Sequence, residues 1–234
     1  MRAKSSGKYI FVVCVAWLCL TACQHQPSIH ILFIGNSYTY LNGGIDKQVE
    51  GLAPQTETTS LAIAAYSLEK HWNDGKALET IRQGGWDYVV LQEQSQFPVI
   101  NQKSFDDYAS KFDEEIRRQG GKTVLLMTWE RPDSRQYGVT TAAVAASYSA
   151  LGAELGAKVA PAGLAFERAL KGKPDLTLYI DDGHPTLEGT YLAACVLYGK
   201  IFEQSPLGNA YVDPKISAET AAYLQQAAAA SLGY

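Results

Sequence analysis

The chain has 234 residues, 47% of them apolar and 19% charged, with a formal net charge of −4. That length suits one domain with a real core. The acidic balance, with no basic block beyond the pair Arg117 and Arg118, argues against a nucleic-acid ligand, because neutralising phosphates takes a surface rich in lysine and arginine.

The first residues stand apart from the fold. Arg2, Lys4 and Lys8 precede YIFVVCVAWLCL, residues 9–20, an apolar run shorter than the roughly 20 residues a helix needs to cross a bilayer. Residues 1–22 therefore read as a signal peptide. Leu20, Thr21 and Ala22 lead to Cys23, an arrangement that resembles the lipobox of bacterial lipoproteins. The resemblance implies cleavage before Cys23, lipidation of that cysteine and anchoring to a membrane of the cell envelope. Gln24 in the next position points to the outer membrane, with the domain facing the periplasm or the cell surface. An ordinary secretory signal and an uncleaved anchor are the alternatives. Residues 23–28 would be a short tether to a domain over residues 29–234. Cys14 and Cys19 leave with the signal, and Cys195 within YLAACVLYG reads as a small buried thiol, so no disulfide framework is expected.

Beyond the tether, strand-like and helix-like segments alternate. Residues 29–35, 58–66, 86–92, 122–129 and 157–163 are β-branched or apolar runs, most of them ended by glycine or polar residues. Residues 76–84 have helical spacing, with Asp74 as N-cap and Gly84 past the end. Residues 104–121 carry acids early, two arginines late and glycines at the stop. Residues 140–156 form a third helical segment. The Ala-rich end, residues 217–233, reads as a last helix with Ser217 as N-cap and Leu224 and Leu232 facing inward. No repeat, low-complexity linker or composition shift marks a second domain. Apolar strands alternating with helices predict an α/β fold whose parallel sheet is covered on both faces. Ligands of such sheets bind beyond the carboxyl ends of the strands.

Two stretches then carry chemistry. FIGNSYTYLNGG, residues 33–44, places Ser37 just past the first strand end, without the G-x-S-x-G elbow of α/β-hydrolases. LYIDDGHPTLEG, residues 178–189, places Asp181 three residues before His184, with Pro185 behind it. A serine hydroxyl needs a base within hydrogen-bond reach, and that base needs a third group to hold its tautomer. One turn can deliver base and orienter together, Asp181 folding back to Nδ1 while Nε2 faces the serine. Each stretch also has a plainer reading: Ser37 as a turn residue, and D-D-G-H as a turn whose histidine caps the next helix. Asp182 competes with Asp181.

Taken together, Gly35, Asn36 and Ser37 followed by Asp181, His184 and Pro185 resemble the SGNH, or GDSL-like, hydrolase superfamily, specifically a bacterial subgroup with SLEKHW and LQEQS segments. The resemblance covers nearly all of the chain after the signal. It implies a three-layer α/β/α flavodoxin-like fold with a five-stranded parallel sheet, a catalytic Ser37, Asp181 and His184, and no metal or other cofactor. It also implies an oxyanion hole built from the Ser37 N–H and two further donors, and there the sequence departs. Ala65 stands where the family has glycine, and its N–H remains a donor if the backbone conformation stays accessible. In LQEQS, residues 91–95, Gln94 falls at the family's asparagine and Gln92 at its glycine, so either glutamine is a candidate for the third donor.

His71 and Trp72, Glu93, and Trp129 with Arg131 are candidates for the substrate pocket, the aromatic planes suiting a sugar face; packing is the alternative role for the His71–Trp72 pair. His25, His30 and His71 lack paired metal-ligand spacing. The expected reaction is hydrolysis of a carboxylic ester, with a small acyl group such as acetyl removed from a small-molecule or polysaccharide ester at the envelope. A lipid esterase or lysophospholipase, and a non-catalytic carbohydrate-binding lipoprotein, are the competing readings.

Overall fold

In a computed structural model, residue 1, residues 28–181 and residues 183–234 are described. The predicted signal peptide, the lipidation site Cys23 and most of the tether lie outside the described residues, as does Asp182. The chain runs β1 (Ile29–Gly35), α1 (Ser37–Tyr40), α2 (Ile45–Leu52), β2 (Thr56–Ala62), α3 (Leu68–Asp74), α4 (Lys76–Gln83), β3 (Tyr88–Leu91), α5 (Phe97–Ile100), α6 (Gln102–Arg118) and β4 (Lys122–Leu126). It continues with α7 (Thr141–Leu155), β5 (Lys158–Ala160), α8 (Ala162–Gly172), a two-stranded hairpin of β6 (Tyr179–Ile180) and β7 (His184–Pro185), α9 (Leu187–Phe202) and α10 (Ala218–Leu232). No helix among the described residues is long and apolar enough to cross a membrane.

Five strands pair in the order β2-β1-β3-β4-β5, every pairing parallel. Strand side chains alternate between faces, and here both faces are apolar. Ile31, Phe33, Val90, Val124 and Leu126 pack with the buried faces of α2, α8, α9 and α10. Leu32, Ile34, Val89, Leu91 and Leu125 pack with those of α3, α4, α6 and α7. This is the expected three-layer α/β/α architecture with a five-stranded parallel sheet.

The first strand matches its apolar run, residues 29–35, and the other four are shorter than theirs. The third ends at Leu91 and the fourth at Leu126, so residues 92–95 and 127–131 leave the sheet as loops at its carboxyl edge. The fifth stops at Ala160 because Pro161 has no N–H to pair, and α8 begins at once behind it. The second runs over Thr56–Ala62 rather than residues 58–66. The Tyr66 N–H bonds back to Ile63 O at 3.1 Å, with Ala65 held at φ +58°, so the chain turns where extended structure was expected. Asp74 is the last residue of α3 rather than an N-cap, and Gly75 in the left-handed conformation separates α3 from α4. Ser217 does cap α10, accepting from Thr220 N–H, and Leu224 is buried on its inner face.

Candidate active site

The Ser37 turn is built by its neighbours. Gly35 ends β1 under crowding: a Cβ there would lie 2.4 Å from Thr39 Oγ1 and 2.6 Å from Gln92 Oε1, inside van der Waals contact, so glycine is required. Asn36 caps α1, its side-chain oxygen accepting the Tyr38 N–H at 3.1 Å. Its Nδ2 donates to Tyr66 O at 2.9 Å, which joins the serine turn to the loop carrying Ala65. Ser37, half-buried, is thereby presented as the first residue of α1.

His184 arrives from the β6–β7 hairpin, and its Nε2 lies 3.0 Å from Ser37 Oγ. The hairpin is held from two sides. Asn42, itself at φ +56°, donates through Nδ2 to Pro185 O at 2.8 Å and to Thr190 Oγ1 at 2.9 Å. Trp129 donates its indole N–H to Gly183 O at 2.9 Å. The Trp129 ring is sandwiched between Tyr38 at 4.6 Å and Phe166 at 4.2 Å, nearly parallel to both, while Tyr38 meets His184 edge-on at 5.6 Å. A Cβ on Gly183, at φ +102°, would lie 2.5 Å from Arg131 Cγ, which leaves room for no other residue beside the histidine.

Asp181 does not reach His184. The Gly183 N–H closes a turn onto Ile180 O at 2.9 Å, and Asp181 occupies the left-handed position of that turn at φ +43°. Its side chain is exposed, and no hydrogen bond between Asp181 and His184 is present among the described residues. The expectation that Asp181 folds back onto the imidazole is thus not met by its geometry.

The candidate oxyanion donors converge on one cleft of roughly 360 Å³, lined by Ser37, Tyr38, Tyr40, Ala65, Gln94, Arg131 and His184 among others. Ala65 sits at φ +58°, a conformation ordinarily left to glycine. Gln92 is buried and fully engaged. Its Oε1 accepts from Asn36 N–H at 2.9 Å and from Thr39 Oγ1 at 3.0 Å, and its Nε2 bonds to Glu93 O. Gln94 is the glutamine that borders the cleft, its Nε2 turned to Ser95 Oγ at 3.3 Å.

Of the other expected pocket residues, His71, Trp72, Glu93 and Trp129 do not line the cleft. His71 is buried, with Nε2 donating to Gly35 O at 2.7 Å and burial lowering its pKa. It braces the end of β1. Trp72 packs edge-on against Phe112, with Lys111 over its face. Glu93 is wholly buried. Its carboxylate accepts the Gln94 N–H at 2.5 Å and the Leu68 N–H at 3.2 Å, and burial pushes its pKa up to about 7. Trp129 supports Tyr38 and the histidine hairpin from beneath. Arg131 does line the cleft, paired to Asp133 at 3.3 Å. Tyr38, Tyr40 and Asn42 were not singled out from the sequence, although all three lie within the same FIGNSYTYLNGG stretch, and Asn36 was matched to the serine block without its bonds to Tyr38 and Tyr66 being foreseen. Cys195 is buried in α9 with burial raising its pKa, as an inert core thiol would be. Among the described residues, no three His, Cys, Asp or Glu side chains are grouped so as to hold a metal.

No family model matches this sequence, and no curated protein does. Solved structures do match. A protein from Slackia heliotrinireducens described as an SGNH hydrolase is 26% identical with a TM-score of 0.66, the match covering 74% of this chain and 99% of that one. A DUF4886 family protein from Bacteroides uniformis is 18% identical with a TM-score of 0.71, covering 88% and 95%. An acetyl xylan esterase, AlAXEase, is 16% identical with a TM-score of 0.56, covering 73% and 98%. The fold of this chain is that of the SGNH hydrolases, and its structural neighbours are SGNH and GDSL-like hydrolases.

Proposed function

We propose that this protein is an ester-cleaving serine hydrolase of the SGNH type that removes small acyl groups, acetyl first among them, from carbohydrate at the cell envelope. The single observation that carries the reading is the 3.0 Å approach of Ser37 Oγ to His184 Nε2 at the mouth of a cleft beyond the carboxyl ends of the strands. Neighbours that include hydrolases, lipases and an acetyl xylan esterase support ester cleavage in general.

In the reaction, Ser37 Oγ attacks the ester carbonyl while its proton passes to His184 Nε2. The oxyanion that forms is taken by the Ser37 N–H, the Ala65 N–H and the Gln94 side chain. Collapse of the tetrahedral intermediate releases the alcohol, which leaves with the proton from Nε2. Water, deprotonated by the same nitrogen, then attacks the acyl-serine; the second tetrahedral intermediate breaks its bond to Ser37 Oγ, which takes the proton back from Nε2, and the acid leaves. We assign stabilisation of the imidazolium to Asp182 rather than Asp181, because Asp181 is exposed and makes no hydrogen bond to His184 among the described residues. Each oxyanion donor is worth roughly a hundredfold or more in rate.

An acetyl xylan esterase among the structural neighbours supports the small acyl group, and the lipobox-like segment at Cys23 supports the envelope location. Purified protein should hydrolyse p-nitrophenyl acetate faster than long-chain esters, and Ser37→Ala should lower kcat by at least about a thousandfold. A protein that cleaves no ester and takes no fluorophosphonate at Ser37 would overturn the hydrolase reading, and a preference for long chains would replace it with a lipid esterase. Mass spectrometry of the mature N-terminus tests the anchor: an unmodified residue there refutes lipidation of Cys23.

A further inference from the structure

Glu93 does not line the cleft, yet it is wholly buried and bonds directly to the residue that borders it. Its Oε1 accepts two backbone N–H groups, from Gln94 at 2.5 Å and from Leu68 at 3.2 Å. Leu68 is the first residue of α3 and is fully buried against the sheet. The carboxyl is therefore moored to a packed element on one side and holds the Gln94 backbone on the other.

The loop itself takes up the oxygens of Gln94. The backbone oxygen accepts the Phe97 N–H at 3.1 Å, and the side-chain Oε1 accepts the Gln96 N–H at 3.0 Å. A backbone N–H bonds only to the oxygen end of a carboxamide, which fixes the orientation of the amide and leaves Nε2 as its donor end. The bond from Nε2 to Ser95 Oγ is long at 3.3 Å, and both residues border the cleft. An amide nitrogen carries two hydrogens, so one remains for an oxyanion.

We propose that Glu93 is a positioning residue for the oxyanion hole: by holding the Gln94 N–H against α3, it sets where the Gln94 carboxamide stands relative to Ser37. It touches no substrate and acts through Gln94. The proposal rests on Gln94 being an oxyanion donor in the ester cleavage described above. What the bridge needs is an accepting oxygen rather than a charge. Burial pushes the Glu93 carboxyl up to about 7, and a carboxyl that keeps its proton still has one oxygen that only accepts.

The test is a double-mutant cycle on p-nitrophenyl acetate hydrolysis, with Glu93→Asp and Glu93→Gln each made alone and together with Gln94→Ala. Aspartate draws the carboxyl back by one methylene, whereas glutamine keeps both the length and an accepting oxygen. Small misplacements of a catalytic donor are costly, so Glu93→Asp should lower kcat about tenfold or more with KM within about twofold. With Gln94 already alanine, the same change should cost less than about twofold, and Glu93→Gln alone should keep kcat within about threefold. No loss from Glu93→Asp, the same loss in both backgrounds, or a Glu93→Gln variant as slow as Glu93→Asp would overturn the proposal. Full kcat in Gln94→Ala would remove Gln94 from the oxyanion hole and the role of Glu93 with it, while leaving Ser37 as nucleophile. A wild type that neither cleaves an ester nor takes a fluorophosphonate fails at the hydrolase reading itself, which carries the proposal down. Because Glu93→Asp shifts a buried carboxyl and can impair folding, the structure of wild type with a fluorophosphonate on Ser37 is the second measurement. Gln94 N–H still on Glu93, with Nε2 about 3 Å from the phosphoryl oxygen, supports the role; an N–H released from Glu93, or Nε2 turned away, overturns it.

Discussion

The backbone N–H of Asn36 donates to the side-chain oxygen of Gln92 at 2.9 Å, and the same oxygen accepts from Thr39 Oγ1 at 3.0 Å. One buried amide thus holds both sides of the Ser37 turn to the end of β3, two residues before Gln94 enters the cleft. The two glutamines of LQEQS therefore have separable roles. Gln92→Ala should strand two buried donors, at about 1–3 kcal/mol each, and lower stability in urea denaturation. Gln94→Ala should leave stability within about 1 kcal/mol and lower kcat roughly a hundredfold or more with little change in KM. The reverse assignment would show as a stable, slow Gln92 variant.

Ala65 at φ +58° is a non-glycine residue where L side chains are strained by about 1–2 kcal/mol. Glycine removes that strain but is more flexible unfolded, which returns part of the gain. Ala65→Gly should therefore stabilise the protein by about 0.5–1 kcal/mol and keep kcat within about twofold, since the N–H is retained. Ala65→Val should destabilise it and lower kcat, because a β-branched side chain tolerates positive φ worst. Equal kcat in all three forms would remove the Ala65 N–H from the oxyanion hole.

Glu93 bridges two of these segments, taking the N–H of Gln94 on one side and of Leu68 on the other. Its carboxyl is raised from 4.5 to about 7, by burial first and further by the nearby charge of Glu69, against the two backbone hydrogen bonds; Tyr148 packs near it as well. Because the folded pKa lies above the unfolded one, the folded state holds the proton longer. Stability on this account is greatest below about pH 4.5, falls as pH rises to about 7, and is level above. The drop is on the order of 3 kcal/mol. His71 works in the opposite sense: its lowered pKa removes stability as pH falls through the ordinary histidine range. Subtracting the stability curve of Glu93→Gln from that of wild type cancels the His71 contribution. The difference should slope downward between about pH 4.5 and 7, and a flat difference would refute the raised carboxyl.

The parallel sheet was legible because its strands are apolar on both faces, as Leu32 and Phe33 illustrate by packing into opposite layers. That Ser37 and His184 meet was legible because a serine used as a nucleophile would need a base within hydrogen-bond reach, and the SGNH resemblance paired these two positions. What escaped was carried by backbone conformation and by distance in sequence. The α3 segment, only seven residues with Leu68 and His71 as its buried side chains, offers too few apolar positions to show a helical period, so His71 and Trp72 read as pocket residues. Glu93 misled for a related reason. A carboxylate in a polar loop suggests contact with solvent, and nothing local reveals that Leu68 and Gln94 enclose it. Asn36 and Asn42 act through Tyr66, Pro185 and Thr190, partners that no short window contains.

The identity of the imidazole's carboxylate partner is the point on which the sequence and the structure diverge most directly. A three-residue offset favoured Asp181, as in the family block. Yet Asp181 sits at φ +43° in a turn closed by Gly183, exposed to solvent and without a hydrogen bond to His184 among the described residues. An exposed carboxylate is screened by water and holds a tautomer weakly, so Asp181→Asn should lower kcat less than about tenfold. The adjacent Asp182 is the sequence's other carboxylate at this turn, and Asp182→Asn should carry the large loss, on the order of ten-thousandfold for an orienting aspartate. Both variants should still react with a fluorophosphonate at Ser37, slowly in the one that lacks the orienter, and the pH dependence of that labelling separates loss of the base from loss of the fold. A ten-thousandfold loss in Asp181→Asn with Asp182→Asn unaffected would reinstate the three-residue offset and require the turn to rearrange when substrate binds.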